Sequence, residues 1–241
     1  MSHNNYILRM QRLISLLKLD FILIVRNRIL AVAAFVTVLY MIIIQVLPDE
    51  SFTEVLTILI FSDPVMLGFM FIGAMVLFEK SSNTLQAISV TPVRAGEYLL
   101  SKGITLTAVA LAASMIMAVA GLHFRFNPLY LIIAVVFSSL FFIFIGFAGA
   151  SRIKTFNQYF IIIPMFMIPT CLPFLNYFGV TDTWLWYILP TQASLILFHS
   201  AFEGTASFTM ADMVYALVYL PATVLVSYRF AEREYSRMLT T

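Results

Sequence analysis

Five stretches of about 20 residues with almost no charge, 29–47, 55–78, 103–122, 129–150 and 159–178, decide what this chain can fold into. A helix needs roughly 20 apolar residues to cross the hydrocarbon core of a bilayer, and in lipid every backbone polar group must be paired. Runs of this length therefore predict membrane-spanning helices. A sixth run, 211–228, is slightly shorter and is bounded by Asp212 and Arg229. Composition agrees: 11% of the 241 residues are charged, against about 25% in a soluble domain. The fold class is an all-α integral membrane protein with six transmembrane helices, which leaves too little chain for a separate soluble catalytic domain. A single cysteine, Cys171, excludes an internal disulfide and a Cys-rich metal site. Residues 1–20 lack the small-residue cleavage site of a signal peptide, so they are expected to stay on the mature protein.

Between the last two runs, 183–204 is apolar but interrupted by Pro190 and Gln192. Its unbroken pieces are too short to span, which favours a re-entrant or interfacial segment. Charge supports that choice. With six spans, the N-terminus, 79–102, 151–158 and the C-terminal tail share one side and carry 13 of the 14 basic residues; Arg125 alone lies opposite. Lys and Arg favour the cytoplasmic side of a membrane, so both termini are expected there, in a multi-pass protein of a prokaryotic plasma membrane. A seventh span would put Arg229, Arg233 and Arg237 outside.

Residues 1–28 form a separate element. At about 100° per residue, Ile7, Met10, Ile14, Leu17, Phe21 and Ile24 fall on one face, with Arg9, Arg12, Ser15, Lys18 and Arg26 on the other. A basic amphipathic helix lies in the membrane interface, in contact with lipid. The domain reading is then an N-terminal helix, 1–28, followed by a six-span membrane domain, 29–241.

Searches for chemistry exclude several classes. There is no phosphate-binding glycine loop, no metal-ligand spacing and no nucleophile–base grouping, so no catalytic residue is assigned. Nothing in the composition points to nucleic acid. One ionisable residue lies well inside a span: Asp63, roughly 12 Å along the helix from Val55, followed by Pro64, where a kink or break is expected. Either Asp63 serves the translocation path, as an intramembrane carboxylate does by default, or it satisfies backbone groups freed by the break. Pro164, Pro169, Pro173 and Pro190 predict irregular helices at the level where Phe166, Phe174 and Trp184 gather. These aromatics form an interfacial belt or line the exit of a path. The small pair Gly146/Ala150 suits close helix contact, within the subunit or across a dimer.

The loop 79–102 is polar and patterned, "EKSSNTLQAISVTPVRAGEYLLSK". Asn83 with Gln86 three residues on reads as a capping box, so Thr84–Ser89 should form a short helix showing Leu85 and Ile88. It stops at Thr91–Pro92, and Pro92 starts the next helix, carrying Arg94, Glu97 and Lys102. Such a helix either docks on a cytosolic partner or lies on the headgroups. The stretch resembles the loop between the second and third spans of ABC-2 type transporter permeases: Glu79, Thr84, Leu85, Thr91, Pro92 and Lys102 match, while Asn83 replaces the usual glycine. "SDPVMLGFMFIGAMVLFEK" further resembles the fluoroquinolone-export permease subgroup. The layout as a whole is similar to the type V exporter arrangement.

The resemblance implies that Thr84–Val90 is a coupling helix, docking with Leu85, Ile88, Thr91, Pro92 and Arg94 on a separate ABC ATP-binding subunit. Glu79 would sit at the cytoplasmic mouth of span two. ATP and magnesium would be bound by the partner, with no cofactor in this chain. The working unit would be two permease chains, identical or similar, with two ATPases. The resulting expectation is an export permease for a drug-like, lipid-like or peptide cargo; the alternatives are a membrane-embedded lipid-modifying enzyme and a non-transporting scaffold.

Overall fold

A computed structural model of the chain describes residues 3–46, 52–82, 84, 91, 93–181, 183–205 and 208–238, and every regular element among them is helical. The N-terminal helix α1 (His3–Arg26) bends by 63° into α2 (Ile29–Ile44). Arg28 takes up the bend in the left-handed region, at φ 58°. The second apolar run is broken into α3 (Phe52–Ile60), a π-helical turn (Phe61–Val65) and α4 (Leu67–Ser81). Long helices follow: α5 (Ala95–Leu122), α6 (Pro128–Ser151), α7 (Phe156–Cys171) with the short α8 (Phe174–Tyr177), and finally α10 (Met210–Met238). A 3₁₀ turn (Trp184–Ile188) and α9 (Pro190–Phe202) precede α10.

Among the described residues, four helical stretches are long and apolar enough to cross a membrane, or five if the bent α1–α2 pair is one span. The stretch 52–81 falls outside that group because of its break. Pro64 has no N–H to continue the α-helical ladder. The chain widens instead, and Met66 N donates to Phe61 O, five residues back, at 3.1 Å. The kink expected at Pro64 is thus a π turn, a device common at functional sites.

Helix α6 is the axis of the molecule, packing against α4, α5, α9 and α10. It starts with proline at its first position, and the Asn127 side chain accepts from Leu129 N at 3.0 Å. Its contact with α4 is close: a Cβ on Gly146 would lie 2.8 Å from Phe69 O, and Ala150 is fully buried. The small pair therefore serves packing inside the chain. By contrast α7 shows Phe160, Ile161, Met165 and Ile168 to its surroundings, all exposed.

Helix α1 buries one residue of its apolar stripe, Ile24, along with residues beside the stripe. Leu16, Asp20, Leu23 and Ile24 are buried, whereas Met10, Ile14 and Phe21 of the apolar stripe are exposed. Helix α1 docks on α5, so its protein-facing side is rotated from the stripe. An apolar stripe meeting lipid and a second face meeting protein are compatible, because lipid and core both accept Leu and Ile.

The long helices leave two ends. At one, α4 and α6 finish and α5 and α7 begin, and the ion pairs described below gather there. At the other, α6 begins and α9 finishes, with Asn127 N donating to Ala201 O at 2.7 Å.

Candidate functional site

Where α4 finishes and α5 begins, three charged side chains from three helices meet out of contact with solvent. Asp20 comes from α1, Glu79 from α4 and Lys102 from α5; they are 2%, 1% and 1% exposed. Lys102 Nζ donates to Asp20 Oδ1 at 2.9 Å and to Glu79 Oε1 at 2.5 Å. The second oxygen of each carboxylate is also paired. Tyr98 OH donates to Glu79 Oε2 at 2.5 Å, and Ser101 Oγ donates to Asp20 Oδ2. Lys102 Nζ also lies 4.7 Å from the centre of the Tyr98 ring, a cation–π contact strengthened by burial.

This arrangement follows from helix geometry. Tyr98, Ser101 and Lys102 are three and four residues apart, so they share one face of α5. Burying charge costs several kcal/mol per ion and is tolerated only with full pairing and good hydrogen bonds. The triad meets that condition, so it fixes one mutual position of α1, α4 and α5.

Three further ionic contacts surround it. Glu97, in the first turn of α5, accepts from Arg94 N at 3.0 Å and pairs with Arg12 of α1 at 3.2 Å. Lys80 Nζ donates to the carbonyls of Ala150, Ser151 and Ile153 at 3.1, 2.8 and 2.8 Å, which places a cation on the negative end of α6. On the next side, Arg152 grips Glu234 of α10 with two hydrogen bonds of 2.8 and 2.7 Å. The hydrogen bond to Glu234, then its charge, raise the Arg152 pKa above its ordinary value, so the guanidinium stays charged.

The loop expected to couple to a partner is thus rooted in the triad: Glu79 precedes it and Tyr98, Ser101 and Lys102 follow it. Of the loop residues themselves, the Thr84 hydroxyl lies 2.8 Å from Ser82 Oγ, Thr91 is exposed and Arg94 caps α5 through its N–H. Leu85, Ile88 and Pro92 lie outside the described residues. Asp63 and Pro64 lie in the π turn. Next to them, Phe61 makes edge-to-face contacts with Phe142 of α6, Phe174 and Phe198 of α9, at 5.6, 5.2 and 6.3 Å between ring centres. Phe166 stacks on Phe69 at 5.4 Å. Phe166 and Phe174 are both partly buried against the core in this way.

Sequence reasoning missed Asp20. The signal was present: it is the one acidic residue in the first 48, set in an otherwise basic polar face.

Helices throughout the described residues, several of them of membrane length, define a multi-pass membrane protein. The chain belongs to the fluoroquinolones export permease protein family, an ABC-2 type permease subgroup, whose model matches residues 11–241. It is similar to fluoroquinolones export permease proteins from two strains of Mycobacterium tuberculosis, each 30% identical over 214 residues, covering 87% of this chain and 89% of the relative. The chain is thus a transporter subunit rather than an enzyme, and export and efflux describe its family.

Proposed function

We propose that this chain is the membrane half of an ATP-driven exporter in a prokaryotic plasma membrane, working as two permease chains with two separate ABC ATPase subunits. Six crossings are assigned: α2, the broken α3–α4 helix, α5, α6, α7–α8 and α10, with the 3₁₀ turn and α9 re-entrant. Both termini and the loop 79–102 face the cytoplasm, in keeping with the placement of basic residues. The translocation path lies near Asp63, Pro64, Phe166 and Phe174. ATP and magnesium bind the partner, and the cargo is a drug-like aromatic amphiphile of the kind for which the relatives are named.

The observation that carries this reading is the triad at the loop roots. A push on residues 82–94 meets Glu79 on one side and Tyr98, Ser101 and Lys102 on the other, all bound to one another and to Asp20. The push therefore moves α1, α4 and α5 together. Fully paired buried charges resist separate movement of their helices, since breaking one pair leaves the other charge stranded.

The test is co-purification with a co-expressed ABC ATPase, together with drug-stimulated ATP hydrolysis. Leu85→Asp with Ile88→Asp should abolish both while leaving the amount of permease in the membrane unchanged. If the ATPase stays bound and stimulated, the loop is not the coupling element.

A further inference from the structure

The start of α9 is a helix end without a cap, held deep in the molecule. Its C-terminal end lies beside the start of α6, through the Asn127 N to Ala201 O bond. Its first turns lie far from there. Ser194 Oγ meets Ser138 Oγ at 2.7 Å, and Ser138 is ten residues into α6, about 15 Å along its axis. Ile188 O, just before α9, accepts from Tyr219 OH, nine residues into α10. Pro190 therefore sits near the middle of a hydrocarbon core roughly 30 Å thick.

No side chain caps this helix start, and Pro190 has no N–H to offer. Gln192 N turns back to Leu189 O at 3.1 Å. Two side chains of the first turn are then left over. Thr191 is 1% exposed and Gln192 6% exposed, and Thr191 Oγ1 and Gln192 Oε1 are buried without a hydrogen-bond partner among the described residues. Side chains on a helix lean toward its N-terminus, so these two reach past the helix end, into the region where its positive dipole is concentrated. Buried polar atoms are almost always paired, and an orphan costs about 1–3 kcal/mol. An unpaired hydroxyl and an unpaired carboxamide end at one uncapped helix start call for a partner, and with the carboxamide turned to face it with its NH₂ that partner is one that brings oxygens. Just before them, Leu189 and Pro190 are only half-buried and Trp184, Leu185 and Ile188 of the preceding turn are exposed.

We propose that the start of α9, with Thr191 and Gln192, binds the carboxylate of an amphipathic cargo midway across the membrane. The inference rests on the exporter reading and names the chemical class of its cargo. Thr191 donates its hydroxyl and backbone N–H. The Gln192 carboxamide presents its NH₂, because either end of that group can face the ligand. The helix dipole favours the negative charge, as at the broken helices of other transporter architectures.

The test uses the permease–ATPase complex in phosphatidylcholine nanodiscs, titrated with a quinolone carboxylic acid and with its methyl ester, followed by quinolone fluorescence. The acid should bind about tenfold more tightly than the ester, the worth of a charge-assisted hydrogen bond. Thr191→Val with Gln192→Leu should bring the acid down to the level of the ester and leave the ester unchanged, while Thr191→Ser keeps the preference. Gln192→Glu, of the same shape, should invert it, and this single change tests the site even where the double variant fails to fold. Equal binding of acid and ester, binding of neither, or a preference that survives Gln192→Glu or the Thr191→Val, Gln192→Leu double change would overturn the proposal, as would loss of acid binding when phosphatidylglycerol is added, which assigns the site to a lipid headgroup. Ester-stimulated ATP hydrolysis without an acid preference rejects the site alone. No stimulation by either compound rejects the exporter reading as well.

Discussion

Lys102 and Glu79 lie on helices joined by the polar loop, and their charged atoms meet at 2.5 Å with neither side chain more than 1% exposed. The loop therefore begins and ends at one ion pair, and Asp20 adds the N-terminal helix to it.

Removing the cation should be far worse than removing all three charges. Lys102→Met leaves two carboxylates buried side by side and should cost about 3–5 kcal/mol. Combining it with Asp20→Asn and Glu79→Gln should restore most of the loss. Thermal unfolding in detergent reads both, and a triple variant no better than Lys102→Met would show that the charges are not paired as described.

Gly73 supports the ring of Tyr159, which lies so close that any Cβ there would collide with it. The Tyr159 hydroxyl reaches Phe69 O from the same position. Gly73→Ala should lower the unfolding temperature in the native background. In a Tyr159→Leu background its additional cost should shrink by 0.5 kcal/mol or more, roughly the size of coupling between residues in contact. Strict additivity would contradict the packing.

Pro64→Ala returns an N–H to the break between α3 and α4. Proline inside a helix costs roughly 3 kcal/mol relative to alanine, so the variant should be more stable. If the π turn serves transport, drug efflux from whole cells should fall at the same time. Stability and efflux rising together would make the break a defect of packing rather than a working part.

Glu234 holds Arg152 and Arg237, the latter at 3.0 Å, and so ties the end of α10 to the α6–α7 turn. Glu234→Ala should speed proteolytic clipping near residue 238. Exchanging the charges, Arg152→Glu with Glu234→Arg, should slow it again. High salt should erase much of the difference, because both arginines are exposed.

The course of the helices was legible because apolar runs of membrane length leave few options. Pro190 marked the short α9 for the same reason, since its pieces were visibly too short. Helix ends were less so: the last helix runs to Met238, well past the apolar run, because Glu234 and Tyr235 are buried there by partners that the local pattern does not show. Asp20 was hidden for a similar reason. Its partner is 82 residues away, and a face-by-face reading of α1 assigns every polar residue to water or headgroups. The Gly146/Ala150 pair announced a close contact but not which helix would fill it. Asp63 was visible as an intramembrane acid, but the aromatic junction around neighbouring Phe61 arises from three separate segments and left no local trace.

The triad also constrains how the protein is made. Asp20 leaves the ribosome first, Glu79 much later and Lys102 last, so two acids that end up buried exist for a time without their cation. Neither can settle into an apolar setting until α5 arrives. The N-terminal helix must therefore wait at the membrane surface through the early stages of insertion, and its docking marks the point at which the first half of the bundle is complete.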